Sequence, residues 1–126
     1  MNNYGKLKGL KVLLVESDQI IRDVLRSGLL DAGCCLDAVR SAEEGLDLVG
    51  GKDFDIIISD FDLPTLDGFE FFKNEGVARL AGVKIMISAY GDVDPLTEAY
   101  VSGIHAIIEK PFTLRTLLDA IAKHVP

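Results

Sequence analysis

The run Ile56-Ile57-Ile58 is stopped by Ser59 and Asp60, and the segment after it, Asp62-Leu63-Pro64-Thr65-Leu66-Asp67-Gly68, carries the Pro and Gly of a turn. A short unbroken apolar run closed in this way reads as a strand buried on both faces, which a parallel sheet covered by helices provides. At the carboxyl end of such a strand Asp60 delivers a carboxylate to the crevice where open α/β sheets place their chemistry.

Three further runs have the same character. Val12-Leu13-Leu14-Val15 ends in Glu16-Ser17-Asp18, Val83-Lys84-Ile85-Met86-Ile87 ends in Ser88-Ala89, and Ile104-His105-Ala106-Ile107-Ile108 ends in Glu109-Lys110-Pro111-Phe112. As parallel neighbours these strands gather carboxylates, a hydroxyl and an ammonium along one edge of the sheet. Clustered carboxylates raise one another's pKa unless a cation sits among them. An oxygen-rich set suits Mg²⁺, which keeps several waters and needs only one or two protein carboxylates.

Between the strands the period changes. Ile20, Ile21, Val24, Leu25, Leu29 and Leu30 fall at helical spacing, with Gly33 as the stop. A second strand fits Cys35 to Val39, and Ser41 with Glu44 forms a capping box for a short helix through Leu46 and Val49, ended by Gly50-Gly51. Phe69, Phe72, Val77 and Leu80 predict a third helix from Gly68 to Leu80, weakened at Gly76, with Asp67 fixing the turn or capping it. Asp92 or Asp94 caps a fourth helix with Pro95 in its first turn and Gly103 at its end, and Thr113 caps a last one carrying Leu114, Leu117, Leu118 and Ile121. The expectation is an α/β fold: a (βα)5 doubly wound, parallel five-stranded sheet in the flavodoxin-like order 2-1-3-4-5, with Glu16 and Asp60 facing each other at the switch point.

The 126 residues suit one compact domain, read as a lead-in over 1–10 and a folded domain over 11–126. A formal net charge of −7 argues against direct nucleic-acid or anionic-membrane binding, since neither polyanion is attracted to an acidic surface. No apolar stretch approaches the roughly 18 residues of a span and the N-terminus lacks a signal-peptide core, so a cytoplasmic location is expected. Cys34 and Cys35 are adjacent and lack zinc spacing; both read as reduced structural thiols at a strand start. His105 and His124 have no metal-ligand companions and receive no catalytic role.

Taken together, Asp60 with Leu63-Pro64 and Asp67-Gly68, the Ser88-Ala89-Tyr90-Gly91-Asp92 stretch, Gly103 and the Lys110-Pro111 pair resemble the receiver domain of two-component response regulators, the CheY-like superfamily. The resemblance covers nearly the whole chain. It implies that Asp60 accepts a phosphoryl group from a phosphohistidine on a histidine kinase or histidine phosphotransfer protein. It also implies that Mg²⁺ is held by Glu16, Asp60 and the backbone carbonyl of Asp62, that Lys110 and Ser88 contact phosphoryl oxygens, and that the Lys110-Pro111 bond is cis. The output is then a changed protein surface, read by a downstream effector or an attached output domain. Such a chain is a signalling phosphoacceptor, assisting only its own phosphorylation and dephosphorylation, rather than an enzyme. It stands alone or belongs to a larger hybrid kinase or regulator, whose lead-in Leu7-Lys8-Gly9-Leu10-Lys11 resembles.

Two positions depart from the family pattern. Ser17 stands where a second acid normally binds the metal, which removes a formal charge and weakens the expected Mg²⁺ affinity; Asp18 beside it caps the first helix or reaches in through a water. Ile107 stands where an aromatic residue normally rotates with the switch, and a β-branched side chain has little χ1 freedom. Tyr90 gates the pocket mouth or is an exposed turn residue. The departures keep a second function in view: a degenerate receiver acting as a phosphorylation-independent binding module. A third, a phosphatase, rests on the similarity of Asp60-Phe61-Asp62 to the DxD of haloacid-dehalogenase-type enzymes. That motif requires Thr or Val where this chain has Pro64, and the chain is short for that fold and its cap.

Overall fold

The computed structural model describes residues 4–89 and 103–126. Five strands, β1 (Lys11–Val15), β2 (Cys35–Val39), β3 (Ile56–Asp60), β4 (Val83–Ala89) and β5 (Ala106–Lys110), form one parallel sheet in the order β2-β1-β3-β4-β5. This is the flavodoxin-like order, and its reversal falls between β1 and β3. The helices described are α1 (Gln19–Asp31), α2 (Ala42–Val49), α3 (Gly68–Lys73), α4 (Glu75–Ala78) and α5 (Leu114–His124). The expected Asp92 or Asp94 cap and the Tyr90 gate lie outside the described residues.

Strand alternation divides the core into two layers, as successive side chains point to opposite faces. Val12, Leu14, Ile56 and Ile58 pack with Leu25 and Leu29 of α1 and with Leu117 and Ile121 of α5. Leu13, Val15 and Ile57 pack on the other face with Phe69, Phe71 and Phe72 of α3 and Val77 of α4. All five residues of β3 are buried, which is why its sequence shows no polar alternation.

Residues ahead of β1 belong to the packed structure. Gly5–Leu7 form a 3-10 turn in which Leu7 is fully buried, the Tyr4 hydroxyl donates to Asp119 on α5 at 2.6 Å, and Lys6 Nζ donates to the Val125 carbonyl at 3.2 Å.

The caps follow the sequence closely. Asp18, Ser41, Asp67 and Thr113 accept the backbone N–H of Ile21, Glu44, Glu70 and Thr116 in turn, and Asp67 with Glu70 completes a full capping box. In α2 the box is shifted, because the Glu44 carboxylate accepts from Arg40 N–H.

One expectation is corrected, and two others gain detail that spacing does not carry. The single helix from Gly68 to Leu80 is two short ones, broken at Asn74 rather than weakened at Gly76. Asn74 leaves the helical region at ψ 135° and its Oδ1 accepts Gly76 N–H at 2.9 Å, so a residue that favours caps starts a new helix in place of continuing the old one. On α1, Ile20 (76% exposed), Val24 (57%) and Leu30 (45%) face outward, so the apolar spacing there is wider than the buried stripe. Of the two cysteines, Cys34 is buried with its thiol near the Leu7 carbonyl, whereas Cys35 is exposed because it opens β2 on the free edge of the sheet.

Candidate functional site

The register carries three chemically able residues to the same end of the sheet. Asp60 closes β3, Ser88 lies near the end of β4, and Lys110 closes β5, while Glu16 follows the last residue of β1. Glu16 (1% exposed), Asp60 (3%) and Ser88 (3%) are buried polar residues in a protein whose other buried groups are almost all apolar. Burying carboxylates is costly without partners, so each partner is informative.

Lys110 supplies one. Its Nζ donates to Asp60 Oδ2 at 2.9 Å, reaching across β4 from the edge strand. Burial alone lowers the Lys110 pKa, but the hydrogen bond and charge of Asp60, with the charges of Glu16 and Asp62, outweigh it and hold the ammonium above its ordinary value. Pro111 follows through a cis peptide bond, the geometry the resemblance implies. Asp62 N–H donates to Asp60 Oδ1 at 3.3 Å, while the Asp62 residue itself is exposed.

The turn after β3 is folded tightly onto this strand end. Gly68 N–H donates to Phe61 O at 2.8 Å, and a Cβ on Gly68 would lie 2.7 Å from the Asp60 carbonyl oxygen and 2.9 Å from Phe61 Cα. Only glycine permits this approach. The Asp67-Gly68 pair therefore serves Asp60 by closing its turn.

Glu16 is a buried carboxylate under electrostatic tension. Its Oε2 accepts Asp18 N–H at 3.0 Å, and its Oε1 is buried without a hydrogen-bond partner among the described residues. Burial pushes the carboxyl up to about 7; the Asp18 amide opposes this, and Asp60 adds to it by charge and as the group that could share its proton. An orphaned carboxylate oxygen beside a second carboxylate is satisfied by a proton or a cation. The donor set therefore fits a hard divalent cation such as Mg²⁺. It is a lean set: among the described residues no three His, Cys, Asp or Glu side chains converge on one metal position. Ser17, at the place of the missing acid, is exposed and is engaged through its carbonyl, which accepts from Arg22 Nη1 at 3.4 Å. Asp18 takes the capping alternative.

Arg22 is the residue the sequence reading missed. Its Nη1 also donates to the Glu16 carbonyl at 2.8 Å. The available signal was an arginine one turn into the helix that follows an acid-terminated strand. The expected aromatic-switch position, Ile107, is half-buried on β5 opposite Met86.

A groove of about 340 Å³ opens beside Lys110, lined by Ile20, Val24 and Leu25 of α1 and by Pro111 and Phe112. It accounts for part of the outward-facing apolar surface of α1. No helix among the described residues is long and apolar enough to cross a membrane.

A family model described as response regulator receiver domain matches residues 12–122. Among curated proteins, the chain is 38% identical over 117 residues to the response regulator protein FleR of Pseudomonas aeruginosa, covering 90% of this chain and 24% of that protein. It is 33% identical to the transcriptional regulatory protein HprR of Escherichia coli, covering 89% of this chain and 50% of that one. The chain thus spans half or less of these relatives. Chemotaxis protein CheY-3 of Vibrio cholerae is 28% identical, with 92% of each chain covered. Among solved structures, a CheY-like receiver domain protein from Methanospirillum hungatei superposes with a TM-score of 0.84 at 27% identity, covering 92% of this chain and 93% of that one.

Proposed function

The chain belongs to the response regulator receiver domain family, and from that premise we propose that Asp60 is its phosphoacceptor, receiving a phosphoryl group from a phosphohistidine on a histidine kinase or phosphotransfer protein. The observation that carries this reading is the buried Asp60 carboxylate held by Lys110 at 2.9 Å beside the orphaned Oε1 of Glu16.

In the step itself an Asp60 carboxylate oxygen attacks phosphorus, the P–N bond of the donor breaks, and its electron pair returns to the imidazole. Charge repulsion between carboxylate and phosphoryl oxygens is the barrier to overcome. Lys110 meets it with a point charge on a flexible stem, able to pass from Asp60 Oδ2 to a phosphoryl oxygen. Ser88, one strand away at the same sheet end, donates its hydroxyl to another. Glu16, Asp60 and the Asp62 carbonyl would hold Mg²⁺, which supplies charge neutralisation for the transferring group. Ser17 leaves this cation with one carboxylate fewer, so its affinity is reduced.

The donor docks on the groove beside Lys110. Its outward-facing Ile20 and Val24 are suited to an apolar helix, and because Lys110 borders both groove and site, a histidine on that helix is brought to Asp60. The acyl phosphate then alters the surface offered to a downstream protein or output domain, in a cytoplasmic setting and without direct nucleic-acid contact by this domain.

The test is intact mass after incubation with a small phosphoryl donor and Mg²⁺, beside an Asp60→Asn control. A gain of one phosphoryl group that the control lacks is expected. No gain from either a small donor or a phosphorylated phosphotransfer protein would overturn the reading in favour of a phosphorylation-independent binding module. An Ile20→Glu variant should keep phosphorylation by the small donor and lose most of that by the protein donor.

A further inference from the structure

We infer that Arg22 is a positioning residue for the cation site, its guanidinium holding the turn between β1 and α1 so that Glu16 presents Oε1 beside Asp60. The inference rests on the proposed function for the purpose of the cation, while the binding itself is tested separately.

Glu16 is tied on several sides. Its N–H donates to Val39 O at 3.0 Å, its carbonyl accepts from Arg22 Nη1 at 2.8 Å, and its Oε2 accepts Asp18 N–H at 3.0 Å. One oxygen, Oε1, is left buried with no hydrogen-bond partner among the described residues. The same Nη1 reaches the Ser17 carbonyl at 3.4 Å, so one side chain gathers two successive carbonyls that otherwise repel. A planar, permanently charged guanidinium suits this task better than an ammonium on a mobile stem.

Arg22 itself is anchored by α1, where its N–H donates to Asp18 O at 2.9 Å and Asp18 caps the helix. Hydrogen bonds thereby tie the helix start, the strand end and the carboxylate to one another. Outer groups that orient a ligand carry much of a metal site's affinity. The neutral Ser17 sharpens the dependence: the Asp18 carboxylate is engaged in capping α1, so Glu16 is left to serve the site from this strand end.

The experiment is Mg²⁺ titration without any phosphoryl donor, followed by amide chemical shifts, on the parent, Arg22→Ala, Arg22→Lys, Ser17→Asp and the Arg22→Ala/Ser17→Asp double variant, with thermal melts as the folding control. Arg22→Ala should weaken Mg²⁺ binding roughly 10-fold, Arg22→Lys by less, and the loss should shrink once Ser17→Asp adds a second carboxylate. A folded Arg22→Ala with parental affinity, or an equal loss in both backgrounds, overturns the inference. Should Arg22→Ala not fold, parental affinity in Arg22→Lys overturns it. A parent that binds no Mg²⁺ overturns the inference together with the cation site. A parent that binds Mg²⁺ but never gains a phosphoryl group overturns the phosphoacceptor reading alone.

Discussion

Lys110 on the edge strand β5 reaches across β4 to place Nζ 2.9 Å from Oδ2 of Asp60 on β3. The contact spans 50 positions of sequence and joins a nearly fully buried carboxylate to a side chain that is 29% exposed. A buried charge with a partner open to solvent is a pair that can be exchanged: the ammonium has room to follow an incoming anion.

Replacing Lys110 by Met should therefore suppress phosphorylation far more than folding. Removing one preorganised charge from a developing anion costs about 100-fold or more in rate. The time course of mass gain with a small donor, measured beside a melt, checks this; a Met variant that gains mass at the parental rate would refute the role of Lys110.

Glu16 makes stability depend on pH in a sense opposite to most carboxylates. It ionises at about 7 in the folded chain against 4.5 as a free side chain, so between those values the folded state holds more protons than the unfolded one. Stability in EDTA should fall as pH rises through that window, by at most on the order of 3 kcal/mol. Melts from pH 4.5 to 8 should show this slope in the parent and not in Glu16→Gln, and saturating Mg²⁺ should flatten it.

The opposite end of the sheet carries a second titrating contact. His105 Nδ1 accepts Lys84 N–H at 2.9 Å, while His105 N–H donates to Lys84 O at 2.8 Å, closing the start of the β4–β5 seam. Burial, then the charges of Lys84 and His124, hold the His105 pKa below its ordinary 6.5. Protonation also costs the bond that Nδ1 accepts, since an imidazolium has no acceptor. This contribution is present above pH 6.5 and is lost as pH falls below it. An Asn at position 105 retains an acceptor and should abolish that part of the acid sensitivity, read from paired denaturation curves at pH 5 and pH 7.5.

Leu7 tests the segment ahead of β1. It is fully buried against the α1 and α5 layer, so Leu7→Ala should cost roughly 2–5 kcal/mol by urea denaturation. A loss under about 0.5 kcal/mol would mean that the segment is not part of the core in solution.

How much of this was legible beforehand depends on the range of the interaction. The strand β2 at Cys35–Val39 and the caps at Ser41 and Thr113 are legible in the sequence, and capping is one of the two roles it allows Asp18 and Asp67, because a cap involves a side chain and an amide three positions away. The break at Asn74 was missed because the helical spacing of Phe69, Phe72, Val77 and Leu80 outweighed one polar residue, although a capping side chain is itself a local signal. The exposure of Ile20 and Val24 was illegible for another reason: periodicity identifies a helix and its apolar positions, but which of them are covered depends on what packs alongside.

The pocket divides the same way. The amino-acid sequence by itself determined the alternation of strands and helices, with which the order 2-1-3-4-5 is compatible, and the residues able to act at the ends of the apolar runs, Glu16, Asp60, Ser88 and Lys110. Tertiary structure alone decided that Lys110 pairs with Asp60, that one oxygen of Glu16 has no partner among the described residues, and that Arg22 grips the turn beside Ser17. Those outcomes depend on distances of a few ångströms between side chains far apart along the chain or set by the turn's conformation, and no pattern of residue types along a chain encodes a distance across a sheet.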